Sequence, residues 1–156
     1  MAMWQNGSKW ACVLMMASAV ALSGCGKDKP SPYHSGNYPG KLKIGKPYSI
    51  DGQMYYPNVD VNYDEEGVAS WYGPGFHGRS TANGERFDQN AMTAAHRTLP
   101  LPSKVRVTNL ENGKTAVLKV NDRGPFKKNR IIDLSKAAAQ ELGVIARGTA
   151  RVRVQY

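Results

Sequence analysis

The stretch "VNDRGPF", Val120 to Phe126, decides how this sequence is interpreted. It follows "KTAVLK", an apolar-rich run that is typical of a buried strand. An aspartate, an arginine, a glycine and a proline then occupy consecutive positions. Glycine and proline are the residues that a turn requires, but a turn requires neither Asp122 nor Arg123. The stretch therefore indicates either a solvated loop or a functional site at the end of a strand.

Short runs around this stretch have the patterns of strands. In "KVRVTNL" and "ARVRVQY", apolar and polar residues alternate, and "GVASWY" and "RIIDLS" are further short apolar runs. Asn112-Gly113 supplies a tight hairpin turn before "KTAVLKV". Only "SKAAAQELG" has a helical pattern, with Ser135 as its N-cap and Gly143 as its stop. About 90 residues of short strands with a single helix predict a small β-barrel.

The first 24 residues have the pattern of an export signal. The apolar run Trp10–Leu22 has 13 residues, whereas a helix that spans a bilayer needs about 20. The run ends in "LSGC", which resembles a bacterial lipoprotein signal and implies cleavage before Cys25 and a lipid on its sulfur. The only other cysteine, Cys12, lies in the segment that would be removed, so Cys25 has no partner for a disulfide. An ordinary signal peptide that ends near a cysteine is the alternative.

The charge of the chain limits its partners. The sequence carries a net charge of +9, and cleavage before Cys25 removes only Lys9, leaving 20 basic and 12 acidic residues, or +8. An exported basic protein meets membrane surfaces and the cell wall rather than nucleic acid. We therefore expect no nucleic-acid partner. The lipoprotein-type signal implies a bacterial envelope location, and we also expect a monomeric chain. Gly26 rather than aspartate follows the cysteine, which by resemblance to other lipoproteins implies the outer membrane, facing the periplasm.

Three segments follow from these patterns: a lipoprotein signal over residues 1–24, the lipidated Cys25 with a tether and arm over residues 25–60, and the barrel domain over residues 61–156. Residues 26–41, which include "GKDKPSPYHSGNYPGK", are rich in lysine, proline and glycine, as in an extended tether. Residues 44–60 are less polar, and we expect this arm to lie on the surface of the domain.

Two aromatic residues and a glutamate are candidates for binding or catalysis. Trp71 and Tyr72 stand beside glycine-rich backbone, an arrangement that suits a glycan groove because sugars stack on aromatic rings. Alternatively they belong to the core of the first strand, although alternation allows only one of them to face it. Glu85 follows the turn signal Asn83-Gly84. A solvated glutamate is the alternative for Glu85, since this residue type is rarely buried unless paired.

The remaining candidates are a histidine and the charged residues after the apolar strand. His96 precedes a proline-bounded loop, and a structural histidine is the alternative. Asp122 is expected at a barrel rim, partly desolvated, with the Arg123 side chain directed elsewhere and Asp133 in "RIIDLS" as the candidate partner of Arg123. We interpret Asp133 itself as a structural partner or helix-side cap. The histidines show no metal-ligand spacing, so neither a metal site nor another cofactor is predicted.

Taken together, these motifs resemble the rare lipoprotein A family. The resemblance rests on "GVASWYG", "TANGE", "TAAHRTLPLPS", "VNDRGPF" and "IDLS", which follow in the family's order between Gly67 and Gly143. It implies a six-stranded double-psi β-barrel with one short helix, and binding to peptidoglycan glycan strands. The arm also resembles the family's pre-domain segment. Many members carry a C-terminal glycan-binding domain, whereas this sequence stops at Tyr156, which leaves septal targeting open.

The resemblance also implies an activity and its residues. Active members are lytic transglycosylases, which cleave the bond from N-acetylmuramic acid to N-acetylglucosamine. The muramic acid's own hydroxymethyl oxygen attacks, so an anhydro end forms and one carboxyl can serve as acid and then base. The family's catalytic acid aligns with Asp122 and its polar supports with Glu85 and His96, while Trp71, Tyr72 and Arg123 are the expected substrate-binding residues. A non-catalytic, expansin-like wall-binding lipoprotein is the alternative, and a purely structural envelope lipoprotein is a weaker one.

The lipid anchor can be tested by substitution. Cys25→Ser removes the thiol that would carry the lipid, so we expect the variant to leave the membrane fraction. The measurement is fractionation of cell envelopes, with a Cys12→Ser variant as the matched control. Membrane association of the Cys25→Ser variant at the wild-type level would show that no lipid on this cysteine anchors the chain.

Overall fold

A computed structural model describes residues 42–156. The predicted signal, Cys25 and the tether over residues 26–41 lie outside the described residues. Within residues 42–156, no helix is both long enough and apolar enough to cross a membrane.

The arm contains a small hairpin that the sequence patterns did not predict. Strand β1 (Tyr48–Ile50) pairs antiparallel with β2 (Gln53–Tyr55). Asp51 and Gly52 connect them with φ of 50° and 78°. Positive φ at both central residues is the geometry of a tight hairpin turn, for which Asp-Gly is a preferred pair. This dipeptide was the local signal that could have predicted the hairpin.

Six strands form a closed barrel in the order β3-β7-β4-β6-β5-β8. Two strand pairs in the barrel are parallel, β3 with β7 and β4 with β6, and each of these has a register shift. The other pairs are antiparallel. The strands are β3 (Asp64–Trp71), β4 (Thr93–His96), β5 (Ser103–Asn109), β6 (Thr115–Asp122), β7 (Arg130–Leu134) and β8 (Thr149–Gln155).

The barrel interior is filled by the apolar residues of the alternating strands. In β5, Val105 and Val107 are fully buried, and in β8, Val152 and Val154 are fully buried. The intervening polar side chains point outward, as the sequence pattern predicts. Strand β4 behaves differently, because all four of its residues are buried and none alternates. For this reason its sequence did not indicate a strand.

The helix has the ends that the sequence predicted. Helix α1 (Lys136–Glu141) begins after Ser135, whose side chain accepts a hydrogen bond from the backbone N–H of Ala138. Gly143 follows the C-cap with φ of 72°, a conformation that glycine adopts without steric cost. The helix packs against β3, β6 and β7.

The arm lies on the barrel, as expected for residues 44–60. The backbones of Lys43 and Leu101 exchange two hydrogen bonds of 2.9 Å. The Tyr48 hydroxyl donates to the Arg97 carbonyl oxygen at 2.8 Å. The rings of Tyr48 and Tyr55 stack on each other, and both contact the ring of Phe126. The arm therefore packs beside the loop that contains "VNDRGPF".

Truncation tests whether the arm is part of the cooperative fold. Every residue of the hydrophobic core cluster lies at or after Tyr63. A chain that begins at Asp60 should therefore still unfold in one cooperative transition. It should lose about 1–3 kcal/mol of unfolding free energy, because the arm's few hydrogen bonds each contribute about 0.5–1.5 kcal/mol. Urea unfolding followed by circular dichroism measures both, and a broad transition would show that the arm is integral to the barrel.

Candidate active site

A cleft of about 440 Å³ opens at the end of strand β6, where "VNDRGPF" begins. Its walls combine rings with charged groups, a lining that suits a polar ligand with apolar faces. The aromatic residues that line it are Trp71, Tyr72, Phe76, Phe87 and Phe126, and the charged ones are Arg79, Asp122, Arg123, Arg130 and Asp133.

Asp122 is held in this cleft by three hydrogen-bond donors. Its Oδ1 accepts from the backbone N–H groups of Ala82 and Arg123, both at 2.8 Å, and its Oδ2 accepts from the Tyr72 hydroxyl at 3.1 Å. Burial, followed by the charge of Asp122, raises the pKa of the Tyr72 hydroxyl, which therefore stays protonated and donates. These three hydrogen bonds fix the orientation of the Asp122 carboxyl group.

The local backbone brings Asp122 to this position. Along the parallel β4–β6 pair, Ala94 is opposite Val120 but Ala95 is opposite Asp122, so that Asn121 is the extra residue of a bulge. Gly124 then has φ of 138°, a conformation that side-chain-bearing residues rarely adopt. The glycine of "VNDRGPF" is thus required by the backbone conformation, whereas the aspartate binds two backbone N–H groups and lines the cleft.

Arg123 binds the scaffold. Its Nη1 donates to the carbonyl oxygens of His96 at 3.2 Å and Leu99 at 2.6 Å, and its Nη2 donates to that of Ile44 at 2.9 Å. The hypothesis that Arg123 pairs with Asp133 is therefore wrong, because backbone carbonyls use both terminal nitrogens of the guanidinium. Arg123 lines the cleft, but its guanidinium joins β4, the following loop and the arm.

Asp133 lies on the same cleft as Asp122. Its Oδ1 accepts a hydrogen bond from the Ser70 hydroxyl, which in turn accepts one from Arg130 Nη1 at 2.9 Å. Burial raises the pKa of the Asp133 carboxyl, against the opposing effects of Ser70 and Arg130, and the charge of Asp122 raises it further. Asp133 was interpreted as a structural residue, and its place in the cleft was not predicted.

The two predicted aromatic residues both reach the cleft. Trp71 packs partly against the core cluster and lines the cleft with the rest of its side chain. The ring of Tyr72 contacts the rings of Phe76 and Phe87, at centroid distances of 5.4 and 4.7 Å. The alternation argument, that one of the pair faces the core, agrees with this arrangement. Phe76 was not singled out from the sequence, although it is exposed at one wall of the cleft.

Glu85 supports the site from outside the cleft wall. Its Oε2 accepts from Lys119 Nζ at 2.7 Å and from Asn121 Nδ2 at 2.9 Å. Partial burial alone would raise the pKa of Glu85, but the hydrogen bonds from Asn121 and Lys119 outweigh it, so the pKa is lowered. The same turn provides the Ala82 N–H that binds Asp122. Glu85 is therefore an ionised group that ties this turn to the end of β6.

His96 is buried, with 2% of its surface exposed, and does not line the cleft. Its Nδ1 accepts from the backbone N–H groups of Thr98 and Leu99, at 3.2 and 3.1 Å. The proton must then be on Nε2, which lies 2.9 Å from the Tyr63 hydroxyl. Burial, aided by the charges of Arg97 and Arg123, lowers the pKa of His96 to about 3. Both nitrogens of this neutral ring are occupied, which matches the structural alternative.

Comparison with known proteins identifies the family of this chain. The family model described as lytic transglycolase matches residues 64–154, which is most of the barrel. The chain belongs to the rare lipoprotein A family. The six-stranded double-psi β-barrel with one short helix, expected from the sequence, is thereby confirmed.

Three relatives show how far the likeness extends. The chain is 47% identical to the endolytic peptidoglycan transglycosylase RlpA of Rickettsia felis, over 92% of this chain and 71% of that protein. It is 55% identical to RlpA of Campylobacter jejuni, over 81% of this chain and 45% of that protein. It is 60% identical to RlpA of Pseudomonas aeruginosa, over 70% of this chain and 32% of that protein. The chain thus spans from about a third to about seven-tenths of the length of these relatives.

The buried neutral histidine makes a prediction about stability. In the unfolded chain a histidine has a pKa near 6.5, whereas the pKa of His96 in the folded chain is about 3. Between these two pH values the unfolded state binds a proton at His96 and the folded state does not. Stability should therefore fall as the pH falls from about 6.5 toward 3, by up to about 1.4 kcal/mol per pH unit from this group. His96→Gln should lower stability at neutral pH and remove this part of the acid dependence.

Urea unfolding at a series of pH values measures this effect. His77→Gln, which removes an exposed histidine, is the matched control for loss of an imidazole. An acid dependence that is unchanged in the His96→Gln variant would contradict the assignment of His96 as the neutral buried group.

Proposed function

We propose that this protein is a lipid-anchored, endolytic peptidoglycan lytic transglycosylase. The observation that carries the proposal is the Asp122 carboxylate, held by three donors inside an aromatic-walled cleft. The names of the family's curated members, endolytic peptidoglycan transglycosylases, support the same activity. A structural envelope protein would have no need of a carboxylate that lines such a cleft.

The substrate class fits the lining of the cleft. Glycan strands have apolar sugar faces, which stack on rings, and hydroxyl and amide edges, which bind charged groups. Phe76, with Arg79 5.1 Å from its ring centre, and Phe126, supported by the tyrosines of the arm, both line the cleft. Wall binding would also be favoured by the positive charge of the chain.

The chemistry needs proton transfer at two oxygens of the substrate. The glycosidic oxygen of N-acetylglucosamine must gain a proton as its bond to C1 of N-acetylmuramic acid breaks. The hydroxymethyl oxygen of the same muramic acid must lose a proton as it bonds to C1. We propose that Asp122, the cleft carboxylate that the motif resemblance matches to the family's catalytic acid, takes part in this proton transfer. No water is consumed, and the product carries an anhydro end.

The other predicted catalytic residues act through position. Glu85 holds Asn121 and Lys119, and its turn supplies one of the donors to Asp122. His96 accepts a hydrogen bond from the backbone N–H of Leu99, and the carbonyl oxygen of Leu99 accepts one from Arg123. We propose that both residues keep Asp122 oriented and that neither exchanges a proton with the substrate.

The anchor and location complete the proposal. A lipid on Cys25 would hold the barrel at the outer membrane, facing the periplasm and within reach of the wall. Residues 26–41 would serve as the tether. The arm that follows the tether packs beside the cleft, so the attachment point of the domain lies close to its proposed site.

Substitution of the cleft carboxylate tests the activity. Asp122→Asn retains the shape of the side chain and removes its capacity to transfer a proton. We expect release of anhydro-ended fragments from purified sacculi to fall by about 10²–10⁴-fold, with sedimentation on the wall retained. Mass spectrometry of the soluble products is the measurement. Asp51→Asn, on the exposed hairpin turn, makes the same chemical change away from the cleft and should leave the rate unchanged.

Two outcomes would contradict the proposal. If Asp122→Asn releases anhydro-ended fragments as fast as the wild type, then Asp122 has no role in the chemistry. If the wild-type protein sediments with the wall and releases nothing, the expansin-like alternative holds, and Asp122 is a hydrogen-bond acceptor for a sugar hydroxyl.

A further inference from the structure

The cleft contains a second carboxylate whose position mirrors that of the first. On the central strand β4, Ala95 is opposite Asp122 of β6 on one side and opposite Asp133 of β7 on the other. Side chains in register on neighbouring strands project from the same face of a sheet. The two aspartates therefore flank one small alanine side chain, with their backbones two strand spacings apart, or about 9.6 Å. Both line the same cleft.

The two carboxylates have different surroundings. Two backbone N–H groups donate to Asp122 Oδ1 and a tyrosine hydroxyl donates to its Oδ2, so both oxygens of this carboxyl act as hydrogen-bond acceptors. Within residues 42–156, Asp133 receives one hydrogen-bond donor, the Ser70 hydroxyl, and it does so on Oδ1. Its Oδ2 lies 3.8 Å from the position that a Cβ on Gly124 would occupy, and Gly124 is close to Asp122 in the chain. Oδ2 is thus the oxygen that remains available to carry a proton toward the cleft.

We propose that Asp133 is the proton donor to the leaving glycosidic oxygen, and that Asp122 is the base that accepts the proton of the attacking hydroxyl. The inference rests on the proposed function and divides between two residues the task that one carboxyl was expected to perform. Pairs of carboxyl groups whose environments separate their protonation states are the usual way in which glycosidases obtain an acid and a base.

The step balances without any other reactant. The bond from C1 of N-acetylmuramic acid to the glycosidic oxygen breaks, and the proton on Asp133 Oδ2 passes to that oxygen. The hydroxymethyl oxygen of the same sugar forms a bond to C1, and its proton passes to Asp122. After release of the products, Asp122 is protonated and Asp133 is ionised. Proton exchange through water in the open cleft then restores the starting state.

The electrostatics of the site agree with this division. Burial is the largest cause of the raised pKa of Asp133, with a further contribution from the charge of Asp122. The opposing groups are the Ser70 hydroxyl and the cations Arg130 and Lys127. The Tyr72 hydroxyl is the other titratable group affected by Asp133, and its own pKa is raised, so it remains neutral. A carboxyl with a raised pKa is the better proton donor near neutral pH.

A change of leaving group distinguishes the two roles. The probe is a disaccharide of N-acetylglucosamine and N-acetylmuramic acid with a 4-nitrophenyl group on the anomeric oxygen of the muramic acid. Nitrophenolate departs without a proton donor, but the hydroxymethyl oxygen must still lose its proton. In the full chain, Asp133→Asn should lower the rate of cleavage of sacculi by about 10²–10⁴-fold. Its rate on the nitrophenyl probe should stay within about tenfold of the wild-type rate. Asp122→Asn should lose both rates.

Each result decides between the assignments. The proposed roles are wrong if Asp133→Asn cleaves sacculi at the wild-type rate. They are also wrong if Asp133→Asn loses its rates on sacculi and on the nitrophenyl probe equally while Asp122→Asn keeps its rate on the nitrophenyl probe. If Asp133→Asn releases no anhydro ends but Asp122→Asn does, Asp133 is the sole essential carboxyl and the division of labour is also wrong. A wild type that releases no anhydro ends from sacculi overturns the proposed function first, and this inference with it.

The pH dependence on sacculi provides a second and independent test. Ser70 stabilises the ionised form of Asp133, so Ser70→Ala should raise the pKa of Asp133 and move the basic limb of the rate profile to higher pH. A residue with a merely structural role would lower the rate at every pH without moving this limb. Ser80→Ala, which removes another cleft hydroxyl, is the matched control. An unmoved basic limb in the Ser70→Ala variant would overturn the assignment of Asp133 as the donor.

Folding must be separated from chemistry in these variants. In Asp133→Asn, the new amide oxygen could still accept a hydrogen bond from the Ser70 hydroxyl, and the substitution removes a carboxyl that burial disfavours in its charged form. We therefore expect the melting temperature of Asp133→Asn at neutral pH to equal or exceed that of the wild type. Loss of activity together with an undiminished melting temperature supports a chemical role, whereas loss of both indicates that Asp133 only holds β3 to β7 through Ser70.

Discussion

The guanidinium of Arg123 connects the parts of the molecule on which the site depends. It donates hydrogen bonds to carbonyl oxygens of strand β4, of the loop after it and of the arm. Backbone carbonyls that are partly buried need donors, and one planar cation supplies several at once. Because the next residue toward the N-terminus is Asp122, the same bonds fix the backbone from which the cleft carboxylate projects. The arm, the barrel and the site are thereby joined at one side chain.

The polar residues around the cleft differ in ionisation because their surroundings differ. Glu85 accepts hydrogen bonds from a lysine and an asparagine, and these lower its pKa. Asp133 is more deeply buried and has fewer hydrogen-bond donors, so its pKa is raised. His96 is enclosed and neutral, because burial, aided by the charges of Arg97 and Arg123, lowers the pKa of its ring. Among the carboxylates of residues 42–156, only Asp122 and Asp133 line the cleft. Glu85 and His96 hold the loops that shape it.

Local sequence predicted those elements whose physics is local. Alternation predicted β5 and β8, because each has one buried face and one solvated face. The helix ends were predicted by Ser135 and Gly143, since capping depends on residues within one turn. Strand β4 was missed because it lies between β6 and β7 and is buried on both faces, which removes the alternation. The Asp51-Gly52 hairpin had a local signal and was predictable.

The sequence by itself determined the family resemblance, the barrel class and the candidacy of Asp122, Trp71 and Tyr72, because short motifs and periodicity carry that information. Only the tertiary structure decided which polar residues share the cleft. Asp122 and Asp133 lie on either side of Ala95, because β4 pairs in parallel with β6 and antiparallel with β7. No local pattern specifies which strands become neighbours. In the same strand arrangement the His96 side chain is buried in the interior and the Arg123 side chain reaches the arm. Their environments, and therefore their protonation and their availability to a substrate, are products of long-range packing.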